Sequence, residues 1–420
     1  MFKKSVLPSG LRLITEPIAG FKGAYIRFLV CSGSRDDPPG MRGASHFVEH
    51  MLFKGTKTRS ARELSAEVEN LGGSLEAYTT RESVSYSGVI LGEYIATTLD
   101  ILTDMFTNSV FEPSQMELER KVILEEVDEL LDVPSQVGAM FFLERLYEKN
   151  PLGDEILGKR EDIEAITREE LLRFVSSHYT ADNLVVAAVG DVEHEFILHF
   201  IQRNLHITPT GKRRRREKPA PLNIGTVFYK PQKNQQVHIF LGAPLFAYND
   251  KRRYAVALFN EIFGGGSTSI LFQRVREEEG LAYSVYSYAE FFTDTGFFLA
   301  YAGVSPENTD RTISLILNEL ESASRKPFPA NVVGIAKQKI KGRLMLEMEN
   351  PSFRIARLLE NELMLRRVVP LSETLEMLGS VTPEDIISIA SEFLSPEHLM
   401  MLVWGAKPAP IDGFKLEEIA

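Results

Sequence analysis

The chain has 420 residues, of which 44% are hydrophobic and 25% charged, with a formal net charge of −11 at pH 7. That length exceeds one ordinary core and predicts two domains of about 200 residues each. The acidic balance gives a nucleic-acid role no electrostatic footing, and no run approaches the roughly 18–20 apolar residues of a membrane span.

The opening residues, Met1-Phe2-Lys3-Lys4-Ser5-Val6-Leu7-Pro8-Ser9-Gly10, lack an apolar signal core. The expected compartment is therefore the cytoplasm, or the chain is a mature form without its targeting segment. Strands are predicted at 23–31 and 83–91. In the second of these Val84, Tyr86 and Ile90 alternate with Ser83, Ser85 and Ser87. Cys31, the one cysteine, closes the apolar stretch Phe28-Leu29-Val30. It excludes an intrachain disulfide and reads as a buried thiol, not a nucleophile. Helices are predicted at 60–71 and 113–131. In the second half, strands are predicted at 226–230, 236–242 and 296–303, and helices at 251–263, 308–324 and 331–346. The pattern is α+β, each half a mainly antiparallel sheet with helices packed on one face.

The halves echo one another. Residues 167–190 (Thr-Arg-Glu-Glu-Leu-Leu-Arg-Phe and on to Leu-Val-Val-Ala-Ala-Val-Gly) correspond to 382–405 at a shift of 215 (382 − 167) without a gap. Each copy reads as a capped helix followed by a buried strand. A second echo, at a shift of 212 (258 − 46), sets His46-Phe47-Val48-Glu49-His50 against Leu258-Phe259-Asn260-Glu261-Ile262. The histidines of the first copy are apolar in the second, as expected of a duplication that kept its chemistry in one half. Between the copies, Thr208-Pro209-Thr210-Gly211-Lys212-Arg213-Arg214-Arg215-Arg216-Glu217-Lys218-Pro219-Ala220-Pro221 has the composition of a solvated linker. The expected division is 1–207, a linker at 208–222, and 223–420.

Residues 46–50 carry the chemistry. On a helix, His46 and His50 lie about 40° apart around the axis and one turn apart, and Glu49 lies about 60° from His46 on the other side. Two neutral imidazoles so placed can bind one zinc ion with the carboxylate beside its open position. The order H-x-x-E-H inverts the commoner H-E-x-x-H. A catalytic zinc takes a third protein ligand, and the helix at 113–131 supplies carboxylates. Glu119 and Glu126, two turns apart, share a line with Ile123 and Leu130. A buried carboxylate on that line needs a partner, which a metal would provide. With Glu117, Glu125, Asp128 and Glu129 nearby, spacing alone fits a solvated acidic helix equally well. His178, His194, His199, His206, His238 and His398 are scattered and show no ligand-like pairing.

Taken together, these residues resemble the pitrilysin family of inverzincin metallopeptidases, nearest within it to the mitochondrial processing peptidase catalytic subunit and its bacterial counterparts. The resembling blocks are Ser32-Gly33-Ser34-Arg35, Gly43-Ala44-Ser45-His46-Phe47-Val48-Glu49-His50-Met51-Leu52-Phe53-Lys54-Gly55-Thr56, Glu119-Arg120-Lys121-Val122-Ile123-Leu124-Glu125-Glu126, Pro151-Leu152-Gly153, Phe263-Gly264-Gly265-Gly266 and Arg276-Glu277-Glu278-Glu279-Gly280-Leu281-Ala282-Tyr283. The resemblance implies His46, His50 and Glu126 as ligands of one zinc ion per chain. The gap of 76 residues (126 − 50) fits the family. It implies Glu49 as general base on the zinc-bound water and Glu119 as a carboxylate supporting the site. It also implies Arg276 and Tyr283 as a pair reaching a bound peptide, and two similar halves closing as a clamshell.

The family carries Asn before Ala after Gly72-Gly73-Ser74-Leu75, where this chain has Glu76-Ala77-Tyr78. Substrate-backbone contact expected of that position falls to Glu76 and Ala77, and an ionised carboxylate there donates no hydrogen bond. The implied activity is endopeptidase hydrolysis of peptides or unfolded segments lying along an edge strand within 74–91, by a homodimer or heterodimer. The alternatives are a non-catalytic assembly subunit of the same family, expected to have lost part of the metal set, and a subunit active only with a separate partner chain.

Overall fold

The computed structural model describes residues 2–211, 216–232 and 236–419. Residues 212–215, most of the basic run, lie outside them. Two compact units emerge. One comprises Met1–Glu129, Asp154–Glu217 and Glu347–Val368; the other comprises Leu130–Gly153, Lys218–Leu346 and Val369–Ala420. The division is not a single cut at the linker, because each unit takes one segment from the opposite half of the sequence.

The first unit is built on a six-stranded sheet in the order β1-β2-β6-β3-β5-β4. Its strands are β1 (Lys3–Val6), β2 (Arg12–Pro17), β3 (Gly23–Val30), β4 (Ser74–Thr79), β5 (Val84–Leu91) and β6 (Leu184–Gly190). All pairs are antiparallel except β2 with β6. The second unit repeats the plan in the order β12-β7-β11-β8-β10-β9. These strands are β7 (Thr226–Pro231), β8 (Val237–Leu245), β9 (Ala282–Phe291), β10 (Gly296–Val304), β11 (Met400–Gly405) and β12 (Lys415–Glu418). β8 runs on to Leu245, past the expected end at 242. The edge strands β1 and β12 break the symmetry: β1 lies antiparallel to β2, whereas β12 lies parallel to β7.

The helices of the first half are α1 (Ala44–Leu52), α2 (Ala61–Glu69), α3 (Ile95–Asn108), α4 (Pro113–Leu131), α5 (Pro134–Leu146), α6 (Arg160–Ala165), α7 (Arg168–His178) and α8 (His194–Asn204). Those of the second are α9 (Arg253–Phe263), α10 (Thr309–Arg325), α11 (Ala330–Glu347), α12 (Pro351–Leu365), α13 (Leu371–Ser380) and α14 (Pro383–Phe393). No helix among the described residues is long and apolar enough to cross a membrane.

The repeat read from sequence is a structural repeat. Thr167 starts α7 with a capping box, its amide donating to Glu170 at 2.9 Å. Thr382 starts α14 in the same way, with Asp385 at 2.8 Å. Each helix leads into the central strand of its sheet, β6 or β11. Both strands are apolar throughout, Leu184–Gly190 being buried at every position.

That double burial extends the expectation of helices on one face. Most helices of the first unit pack on the face carrying Ile26, Phe28, Val186 and Ala188. The opposite face of the same strands presents Ile14, Leu29, Val185, Ala187 and Val189, and α12 covers it with Ile355, Leu358 and Leu359. Glu362, with its side chain fully buried, ties α12 to the strands by accepting from Lys4 at 2.6 Å and from Arg12 at 3.3 Å. In the second unit, α5 does the equivalent. Phe142, Leu143 and Leu146 pack on Phe240, Leu299 and Leu402. A Cβ at Gly138 would stand 2.3 Å from the Phe240 ring, so only glycine permits that approach.

The linker departs from a solvated tether at Arg216. Its guanidinium grips Asp36 at 2.8 and 2.6 Å and reaches Glu82 at 2.9 Å.

If α12 is integral to the first unit, Leu359→Ala, at a site 2% exposed, should lower stability by about 2–5 kcal/mol. Urea unfolding would measure this, and a loss within about 0.5 kcal/mol, typical of surface sites, would show that the helix is peripheral.

Candidate metal centre

α1 is fixed at its start by residues outside it. Gly43 precedes the helix at φ 94°, a left-handed conformation, and a Cβ there would lie 2.5 Å from the Leu157 carbonyl oxygen. With no side chain at that position to cap the helix, Asp37 serves instead. Its carboxylate accepts from the Gly43 amide at 2.8 Å, the Ser45 amide at 3.0 Å and the Ser45 hydroxyl at 2.6 Å. Phe47, Val48, Met51 and Leu52 enter the core, which turns His46, Glu49 and His50 to the other side. α4 lies across from them. Met116, Ile123 and Val127 hold its apolar side. Arg120 anchors it further by donating to the carbonyl of Ile163, and to that of Ile166 at 2.9 Å.

The outcome is a tight cluster. His46 Nε2 and His50 Nε2 are 3.2 Å apart, and Glu126 Oε2 is 3.5 Å from the first and 3.6 Å from the second. Glu119 sits beside it. His50 Nδ1 lies 3.0 Å from Glu119 Oε2, and Lys54 Nζ is 2.7 Å from Glu119 Oε1. An ionised carboxylate only accepts, so His50 carries its proton on Nδ1 and turns a lone pair on Nε2 towards the cluster. His46 has no such support: its Nδ1 is buried without a hydrogen-bond partner among the described residues.

This donor set fits a divalent ion. Ligand bonds of about 2.0–2.2 Å in a tetrahedron place neighbouring donor atoms about 3.3–3.6 Å apart, close to the separations seen. When both Nε2 atoms are unprotonated, as ligation requires, two imidazole lone pairs and a carboxylate oxygen this close repel one another, and a cation among them relieves that repulsion. Burial, then the neighbouring His50, pushes the His46 imidazole down to about 3, so it is neutral and able to ligate across the physiological range. Among the described residues this is the one His/Cys/Asp/Glu grouping with that geometry.

Glu49 lies beside these three side chains. Burial raises its carboxyl above the ordinary range, against the opposing effect of a hydrogen bond from Thr79. Thr79, at the end of β4, donates its hydroxyl to Glu49 Oε2. Sequence reading missed Thr79 and Asp37 alike. The signal for Thr79 lay in the strand period: Leu75 and Ala77 pack into the core on the α1 side, and two residues on, Thr79 follows.

The same alternation sets the direction of Glu76. It is exposed on β4, and its side chain stands on the opposite sheet face from Ala77, with Tyr78 exposed beneath the Arg27 guanidinium. The structure brings together His46, Glu49, His50, Glu119 and Glu126, and does not add the Glu76 side chain to them. Arg276 and Tyr283 belong to the second unit. They meet one another, with the guanidinium 5.6 Å from the Tyr283 ring centre and that ring 79% exposed.

The second unit holds the apolar counterpart of the cluster. Leu258 and Ile262 are core residues where His46 and His50 stand in the first copy. Glu261 keeps the position of Glu49, but is buried against Arg343 at 3.0 Å and Lys339 at 3.7 Å. Side-chain cations there neutralise the carboxylate.

Comparison with known proteins agrees with this asymmetry. Residues 14–160 match the family described as Insulinase (Peptidase family M16), and residues 165–340 the family described as Peptidase M16 inactive domain. The chain is 32% identical over 399 residues to an uncharacterized zinc protease of Streptomyces coelicolor, covering 93% of this chain and 87% of that one. It is 30% identical over 403 residues to an uncharacterized zinc protease of Bacillus subtilis, covering 96% and 98%. Among solved structures, a peptidase M16 inactive domain from Pseudomonas fluorescens shares the fold at a TM-score of 0.90 and 19% identity, covering 98% of this chain and all of that one. A protease from Helicobacter pylori does so at 0.87 and 20%, covering 97% and 99%.

Glu119→Gln should weaken zinc affinity about 10–100-fold, as loss of a ligand's hydrogen-bonding partner does elsewhere. Chelator competition would measure it, and wild-type affinity would remove Glu119 from the site. The folded His46 value lies below the ordinary 6.5, so between about pH 6.5 and 3 the unfolded chain binds a proton that the folded metal-free chain does not. The metal-free protein should therefore lose stability as pH falls through that window, by up to about 1.4 kcal/mol per pH unit from this residue. His46→Leu should flatten the urea-unfolding profile against pH; an equally steep profile in the variant would assign the effect elsewhere.

Proposed function

This chain belongs to peptidase family M16, and from that premise we propose that it is a zinc-dependent endopeptidase acting on peptides or unfolded segments. In this reading His46, His50 and Glu126 hold one zinc ion per chain and Glu49 is the general base. The observation that carries it is the convergence of three ligand atoms within 3.6 Å of one another beside a carboxylate that is free of the ligand set. A zinc ion held there supplies a Lewis acid and draws the pKa of water at the site down towards about 7.

The chain's own groups do the rest. Glu49 takes a proton from the attacking water and delivers it to the amine nitrogen as the C–N bond breaks, so the carboxylate is regenerated. A carboxyl raised by burial is a stronger proton acceptor, which suits a group that must take up a proton and return it. Glu119 holds the His50 ring through Nδ1, and Lys54 holds Glu119 in turn. Among the described residues β4 pairs with β5 alone and forms the sheet edge, so an extended segment can add to it by backbone hydrogen bonds. Ala77 offers main-chain groups there and no bulky side chain. A non-catalytic assembly role is the weaker reading, because the ligand set and the base are complete.

Glu49→Gln should retain its zinc and lose at least about 100-fold in kcat, read by metal analysis and peptide cleavage side by side. A variant with both its zinc and its full rate would remove Glu49 as base. A zinc-loaded wild type that cuts no unfolded peptide would overturn the endopeptidase reading itself.

A further inference from the structure

Glu49 has one hydrogen-bond partner among the described residues, the Thr79 hydroxyl on Oε2. It precedes His50 directly in α1, and it lies near enough to Glu126 and His50 for their charges to act on it. A carboxylate on a flexible stem in that position has two destinations. It can turn into the cluster as a further oxygen ligand, since oxygen ligands are ordinary for zinc, or it can be held elsewhere. Thr79 offers the second destination, and its own position is braced. The turn after β4 is closed by the Thr80 amide on the Ser83 carbonyl at 2.8 Å and the Ser83 amide on the Thr80 hydroxyl at 3.0 Å. Glu82 in that turn accepts from Arg35 at 2.7 Å and from Arg216 at 2.9 Å, and its side chain is 3% exposed. Arg216 also clamps Asp36 at 2.6 Å, the neighbour of the Asp37 that caps α1. The hairpin and the helix are thus pinned to a common set of groups, which fixes the spacing between Thr79 and Glu49.

We infer that Thr79 is a positioning residue: its hydroxyl holds the Glu49 carboxylate out of the His46, His50 and Glu126 ligand set and leaves Oε1 to take the proton. The catalytic half of this inference rests on the endopeptidase reading; the placement of Glu49 does not, and the test separates them.

Thr79→Val removes the hydroxyl at nearly constant shape, and Thr79→Ser restores it. In cobalt(II)-substituted protein, Thr79→Val should show a visible absorption spectrum changed towards that of a centre with an additional ligand. Adding Glu49→Gln to Thr79→Val should reverse the change, and Thr79→Ser should match wild type. With zinc, Thr79→Val should lose about 10–100-fold in kcat at unchanged KM, with Thr79→Ser close to wild type. If Thr79→Val folds poorly by circular dichroism, Thr79→Ala serves the same comparison. A wild-type cobalt spectrum in the variant that lacks the hydroxyl overturns the inference whatever its activity. A wild type that holds metal but cuts nothing overturns only the endopeptidase reading, and the spectrum still decides where Glu49 is held.

Discussion

Two imidazole nitrogens and a carboxylate oxygen, each within 3.6 Å of the others, set the main constraint on the first unit. With both Nε2 atoms unprotonated such atoms repel, so holding them together needs rigid supports from several directions. α1 is seated by the Asp37 carboxylate and by the glycine-only approach at Gly43. α4 is seated by Ile123 in the core and by Arg120 on the end of α6. Glu119 then fixes the tautomer of His50. Most of the polar contacts around the cluster can be understood as fixing three atoms about a point.

The second unit shows what the same architecture does when that demand is lifted. Its sheet repeats five of the six strands in the same order, and α9 and α11 follow the chain positions of α1 and α4. Leu258 and Ile262 join the apolar core, and Glu261 is neutralised by Arg343. A buried carboxylate has to be compensated. In the first unit Glu49 takes a hydrogen bond from Thr79, and in the second Glu261 meets cationic side chains of α11.

Much of this was legible in the sequence, for identifiable reasons. The H-x-x-E-H spacing is local, so helical periodicity alone gathers His46, Glu49 and His50 on one side. The shift of 215 between Thr167 and Thr382 was readable because capping boxes and buried strands are local patterns too. Glu126 was distinguishable from the other acidic residues of α4 only through family resemblance, since several carboxylates share that helix. The destinations of α5 and α12 were not readable: periodicity shows that a helix has an apolar face but not which sheet it lands on. Asp37 and Thr79 were missed because each acts across a tertiary contact, a loop on a helix start and a strand end on a helix face. Glu76 shows what strand period adds to a motif. Its position in the motif suggested a contact, and the strand period turns its side chain to the other face of the sheet.

Zinc-edge anomalous scattering from crystals of the protein grown with zinc would examine the cluster directly. One peak per chain is expected, within about 2.0–2.2 Å of His46 Nε2, His50 Nε2 and Glu126 Oε2, with Glu49 on Thr79 and not on the ion. A peak at another place in the chain, or none beside these three residues, would contradict the assignment of the site.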